Sequence, residues 1–233
     1  MRCRLTKAST PRSGPVTARA GKGRRSAPVR LAGYAGRYTY SGCKMSKNNK
    51  LNLFLDNIER LYPNEAASCF HIQLNRDSSI TIDNKKGLGA LVGGCIIIAT
   101  VMDIASSASE GLKWNETKGQ MRSRAMKEFV GTYFPRKYRA INWYGQFRNP
   151  LVHNFCSKGL ELTHLERCRS KHLKNCFVGG ERRICVHIFE LLSDVSASMR
   201  RFCDQVRTDP SLEKRVRRYI GHYGVLQPRD PDC

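Results

Sequence analysis

The residues with the clearest chemical potential are Arg148-Asn149-Pro150-Leu151-Val152-His153. A permanent cation, an amide and a titratable imidazole sit within six positions, around a proline. Proline fits poorly inside a helix but well in the first helical turn, and an asparagine just before it is a strong N-cap. The spacing therefore predicts a helix that starts at Asn149. His153 would lie one turn in, on the same side as Asn149, with Arg148 just ahead of the cap. Guanidinium, imidazole and the free N–H groups of a helix N-terminus would then converge on a solvent-accessible cleft, which suits a phosphate. In one regular helix the arginine and histidine would instead stand about 140° apart. The plain alternative is a surface arginine and a histidine bonded to a backbone carbonyl.

Arg148-Asn149-Pro150-Leu151-Val152-His153 resembles the R-x(4–6)-H motif of the HEPN superfamily (higher eukaryotes and prokaryotes nucleotide-binding), in which a polar residue commonly follows the arginine. The resemblance covers the helical region, about 88–207. It implies a helical bundle and a metal-independent endoribonuclease of the kind found among toxins and anti-phage effectors. It also implies a homodimer in which two motifs face one another, RNA as substrate, and a protein antitoxin as a further partner. His153 would act as general acid or base on the ribose 2′-hydroxyl or the 5′-oxygen leaving group. Arg148 would neutralise the phosphorane charge, and Asn149 would orient the phosphate or the histidine. Trp143, Tyr144 and Phe147 either stack bases or, the commoner use, belong to the core. Arg139, Lys158, Arg167 and Lys171 are the basic residues expected to meet RNA. No cofactor is called for: Lys137 to Gly159 contains no Asp or Glu, so a two-metal mechanism lacks ligands there. Two other classes stay open: a non-catalytic HEPN-like module that binds nucleic acid or a protein, and a membrane-associated helical protein built on 87–109.

Other constellations carry less. Gly87, Gly89, Gly93 and Gly94 do not form a GxGxxG pattern, and neither GxSxG nor HExxH occurs. His164, Cys168, His172 and Cys176 recur every four residues. On one helix they would form a stripe about 18 Å long, too long for one zinc ion. With Arg167, Arg169, Lys171 and Lys174 on the same segment, a basic face is the better use of it. Ten cysteines at irregular spacing, several in apolar contexts, read as reduced thiols of a cytoplasmic protein.

The chain that must position the motif has 233 residues and a formal charge of +22. Residues 1–44 hold 11 of the basic residues and no acid, and they show neither helical nor strand period, so they read as a disordered basic leader. That leader is either an organellar transit peptide or an over-extended reading frame ahead of Met45; the abrupt start of an apolar period there favours the second. The remainder is still basic, which favours polyanionic partners.

The spacing of Leu51, Phe54, Leu55, Ile58 and Leu61 predicts a helix stopped by Pro63. Alternation over 69–83 predicts a short hairpin. Gly87 to Met102 is 16 residues without a charge, short of the roughly 20 a membrane span needs, and suits a buried helix over 88–109. Helices are further expected over 116–133, in the aromatic stretch before the motif, over 161–177, over 184–207 and over 211–220, with a tail over 221–233. The predicted class is mainly α: a compact helical bundle spanning 45–220.

Overall fold

Ser46 opens the first helix, its hydroxyl oxygen accepting the Asn49 N–H at 3.2 Å. The computed structural model describes residues 46–82, 90–113 and 119–223. The expectations for the leader, and for the tail beyond 223, lie outside the described residues. The fold is mainly helical, as predicted, with two small sheets.

Helix α1 (Lys47–Asp56) does not end at Pro63. It widens into a π-helical stretch, Asn57–Leu61, and continues as α2 (Tyr62–Cys69). The Tyr62 N–H reaches back five residues to the Asn57 carbonyl. A π turn admits one extra residue, and Pro63 follows it at the start of a new α segment, where its missing N–H costs little. Strands β1 (Ile72–Leu74) and β2 (Ile80–Ile82) then pair antiparallel, the predicted hairpin.

Helix α3 (Leu91–Ser109) is the central rod. Among the described residues it is the helix whose length and apolar content would suffice to cross a membrane, and 61% of that window is buried inside the fold. Its serines are reconciled with burial by bonding back to the helix: Ser106 Oγ donates to the Asp103 carbonyl and Ser109 Oγ to that of Ser106. Gly94 is dictated by packing, because a Cβ there would stand 2.3 Å from the buried Phe70 ring. The C-terminal end of α3 is closed by Arg215, whose Nε donates to the Ser109 carbonyl at 2.6 Å, a cation where the helix dipole favours one.

Helix α4 (Gly119–Tyr133) packs on α3 and on the long helix that carries Phe202, which Phe129 meets edge-on at 5.4 Å. Two expectations fail between Leu160 and His187. The stretch read as a helix over 161–177 contains strand β3 (Leu160–Thr163), a 3-10 turn (Glu166–Lys171) and strand β4 (Asn175–Val178). The first turn expected of the last long helix belongs instead to β5 (Glu181–His187). The strands order as β3-β5-β4, with β3 parallel and β4 antiparallel to β5. Gly179 and Gly180 both take positive φ, the conformation a tight hairpin turn demands. Leu173, at φ +61, diverts the chain between the 3-10 turn and β4, which no helix could accommodate.

Helix α6 (Ile188–Thr208) buries the stripe Leu191, Val195, Met199, Phe202 and Val206 against α3 and α4. Each such side chain contributes roughly 1.5–3 kcal/mol on burial. Helix α7 (Pro210–Tyr223) runs three residues past the predicted boundary. Its arginines bind structure: besides Arg215, Arg217 donates to the Lys47 carbonyl and to Asn48 Oδ1.

Candidate functional site

The motif lies on one continuous helical run that begins at Trp143, not at Asn149. Asn142 is the cap: its Oδ1 accepts the Gly145 N–H at 2.9 Å, while its own N–H donates to Gln146 Oε1. Trp143–Arg148 is π-helical, and α5 (Asn149–Asn154) follows without a break. Pro150 cannot donate to the Gln146 carbonyl, which accepts the Lys158 N–H at 2.8 Å instead. Both Arg148 and Asn149 have right-handed helical φ and ψ. Phe155, at φ +54, ends the run, its N–H on the Leu151 carbonyl.

That continuity decides where the motif side chains go. Arg148 and His153, five residues apart on a helix, point about 140° apart. Arg148 turns inward to α3, where its Nε and Nη2 donate to Asp103 Oδ2 at 2.9 and 2.8 Å. Arg122 of α4 approaches the same oxygen at 3.5 Å. Asp103 is 7% exposed, and its Oδ1 has no hydrogen-bond partner. The Arg148 guanidinium also lies over the Tyr144 ring, 5.4 Å from its centre. His153 and Asn149 are exposed on the outer side of α5. The expectation that arginine and histidine share one cleft within a chain is therefore corrected. The proline did not start the helix, because the π turn before it absorbed the steric conflict.

The expected RNA-contacting residues divide. Trp143 is 2% exposed and donates its indole N–H to the Tyr138 carbonyl, and Phe147 is fully buried; both are core, not free stacking platforms. Tyr144 is half-buried and Arg139 exposed, its Nη2 on the Gly131 carbonyl. Both line a cleft of about 350 Å³ between α4 and the motif helix, together with Lys127, Ser123, Asn142 and one edge of Trp143. Among the described residues its lining has two cations and no acid. Lys158 is exposed just beyond α5, whereas Arg167 and Lys171 sit exposed on the 3-10 turn between β3 and β4.

Compared with known proteins, the chain matches no family model, no curated protein and no solved structure.

A second polar group was not anticipated. The Tyr138 hydroxyl donates to Asp194 Oδ2 at 2.7 Å and lies 2.8 Å from His172 Nε2, and Lys137 Nζ bridges to the same Asp194 oxygen at 3.0 Å. His172 Nδ1 accepts the His187 N–H, so its proton resides on Nε2 and the Tyr138 oxygen accepts it. Burial, reinforced by Lys137, holds His172 down at about 4. Burial and the neighbouring Asp194 push Tyr138 well above the usual phenol range. His187 is fully buried, and burial lowers it too, partly offset by the Glu190 and Glu166 carboxylates and by a hydrogen bond to the His164 backbone. His172 could have been suspected from its place in the four-residue stripe. Its hydrogen-bonding neighbours, Tyr138 and His187, come from 34 and 15 positions away in the chain. Among the described residues no three His, Cys, Asp or Glu side chains cluster as a metal site would require.

Proposed function

We propose that this is a cytoplasmic RNA-binding protein of HEPN type that cleaves single-stranded RNA through His153, with the active site completed between two copies of the chain. The observation that carries the reading is the motif helix. It presents Asn149 and His153 on one exposed face, while its first turn borders a cleft lined by Lys127, Arg139 and Tyr144, with no acid among the described residues. A half-buried aromatic beside two cations suits a nucleotide: the phosphates meet the cations and a base meets the ring. An exposed imidazole is free to take a proton from the 2′-hydroxyl or deliver one to the 5′-oxygen. One chain offers one such imidazole at the motif, and a two-fold axis would bring a second for the complementary proton transfer. Arg148, tied to Asp103, would reach a phosphate only with the hydrogens that Asp103 does not use. Its first role is to fix the motif helix against α3.

That ion pair also favours a second reading, in which the module binds RNA or a protein partner without cutting. Labelled single-stranded RNA incubated with the chain in EDTA separates the two. Cleavage that ends in a 2′,3′-cyclic phosphate and falls by about 10²–10⁴-fold in His153→Ala supports the nuclease. Binding without cleavage supports the second reading, and cleavage undiminished in His153→Ala refutes the assignment of the site.

A further inference from the structure

The second large cleft lies away from the motif helix. It is a groove of about 520 Å³ between the Asn57–Leu61 turn, the β1–β2 turn and α6. We propose that this groove is a phosphate-binding site for a polyphosphate chain or the backbone of a nucleic acid, not for a nucleobase.

Three arginines from three separate elements line it: Arg60, Arg76 and Arg200. The carboxylate in its lining, Glu59, and those close to its arginines in the chain, Asp77 and Asp56, are already engaged. Glu59 Oε2 accepts from Arg207 at 2.7 Å. Asp77 accepts both the N–H and the hydroxyl of Ser79, bonds that hold its carboxyl below the usual range, with Arg200 adding a smaller pull. Asp56 stands 3.5 Å from Arg60 in an exposed pair, which is worth little. Among the described residues no carboxylate lies within ion-pair distance of Arg76 or Arg200. Cations gathered without matching anions repel one another, and a bound anion relieves that. The guanidinium fork matches phosphate oxygens two at a time.

The hairpin that carries Arg76 is held deliberately. Three-residue strands in a two-stranded ribbon are marginal on their own. Here Ser78, buried and at φ +69, donates its hydroxyl to Ser196 Oγ at 3.1 Å and accepts the Ser193 hydroxyl on its carbonyl at 2.6 Å. A non-glycine residue in that region costs about 1–3 kcal/mol and persists only where its surroundings enforce it. The strap ties the turn that carries Arg76 to α6, which carries Arg200. Among the described residues no aromatic lines the groove, and Leu74 is its apolar contribution. Phosphate would thus be recognised and a base would not, the reverse of the cleft beside Tyr144.

The test is calorimetric titration of the full chain with tripolyphosphate at physiological ionic strength. The double variant Arg76→Gln/Arg200→Gln should bind at least about tenfold more weakly, as loss of charge-assisted hydrogen bonds implies. The control Arg124→Gln/Arg182→Gln removes the same charge from exposed positions outside the groove and should change affinity less than about twofold. Arg76→Gln alone, in an exposed turn, repeats the measurement without touching α6. Equal losses in groove and control variants, or no binding by the parent chain, overturn the proposal. A parallel titration with polyuridylate identifies the source: a matching loss points to a nucleic-acid backbone, a loss confined to tripolyphosphate to a free polyphosphate. Cleavage by the motif helix is scored separately on the same variants, so either site can fail alone.

Discussion

Replacing Asp103 by alanine tests the architecture of the motif helix. The carboxylate joins three helical segments: it sits on α3, takes two hydrogen bonds from Arg148 and lies 3.5 Å from Arg122. The side chains of Arg148 and Arg122 are 14% and 11% exposed, so water cannot replace the lost partner well. Breaking a buried pair by removing one partner typically costs about 3–5 kcal/mol. Against that, Asp103 Oδ1 is buried without a partner, a penalty of roughly 1–3 kcal/mol that alanine relieves. The net expectation is a loss of about 2–3 kcal/mol. In a domain of this size each kcal/mol lowers the melting temperature by roughly 2–4 °C, so a fall of about 4–12 °C follows. Urea unfolding of Asp103→Ala, Arg148→Ala and the double variant closes the cycle. Arg148→Ala should be costly alone and much cheaper once Asp103 is gone, with a coupling of about 1–3 kcal/mol. A single-variant loss below about 0.5 kcal/mol, with additive effects, would refute the claim that this ion pair positions the motif.

His153→Ala should leave urea unfolding within about 0.5 kcal/mol of the parent, because the side chain is exposed; a larger change would show an unrecognised structural role. Gly94→Ala should destabilise by about 1–3 kcal/mol or more through its collision with Phe70, and an unchanged melting temperature would show that the ring can move aside. Acid should weaken the fold: His172 is held at about 4 against an ordinary 6.5, so below that value the unfolded chain takes up a proton the native one refuses. Stability is full above about pH 6.5 and falls toward pH 4, by about 1–2 kcal/mol once the partial exposure of the ring is discounted; a melting temperature flat across that window, or one equally steep in His172→Gln, counts against it.

Much of the fold was readable because local patterns agreed with tertiary demands. The apolar stripe from Leu191 to Val206 is a helix buried where the stripe requires, and Asn75 to Ser79 turns between two short strands. Failures came where two patterns coincided. Leu160 and Leu162, like Ile184 and Val186, alternate in the manner of strands, but the four-residue recurrence of His164, Cys168, His172 and Cys176 is also a helical period. Strand pairing between β3 and β5, some 24 residues apart, settled the competition, and no local window contains that partner. The motif itself was legible as six residues; its geometry was not. Asp103 interrupts an apolar run 45 positions before Arg148, and only the packing of α3 against the motif helix reveals them as a pair.

The π-helical stretches before Pro63 and Pro150 have a bearing on length variation. A π turn is an α-helix that has gained one residue. Deleting one residue between Trp143 and Phe147 would let the segment relax to α geometry while Leu151 and the residues beyond it keep their facing, because the π turn is where the extra residue is absorbed. The same deletion within the regular α5 would instead rotate whatever follows it by about 100° about the axis. Chains of this design should therefore tolerate the loss of one residue in the π stretch better than the loss of one in α5.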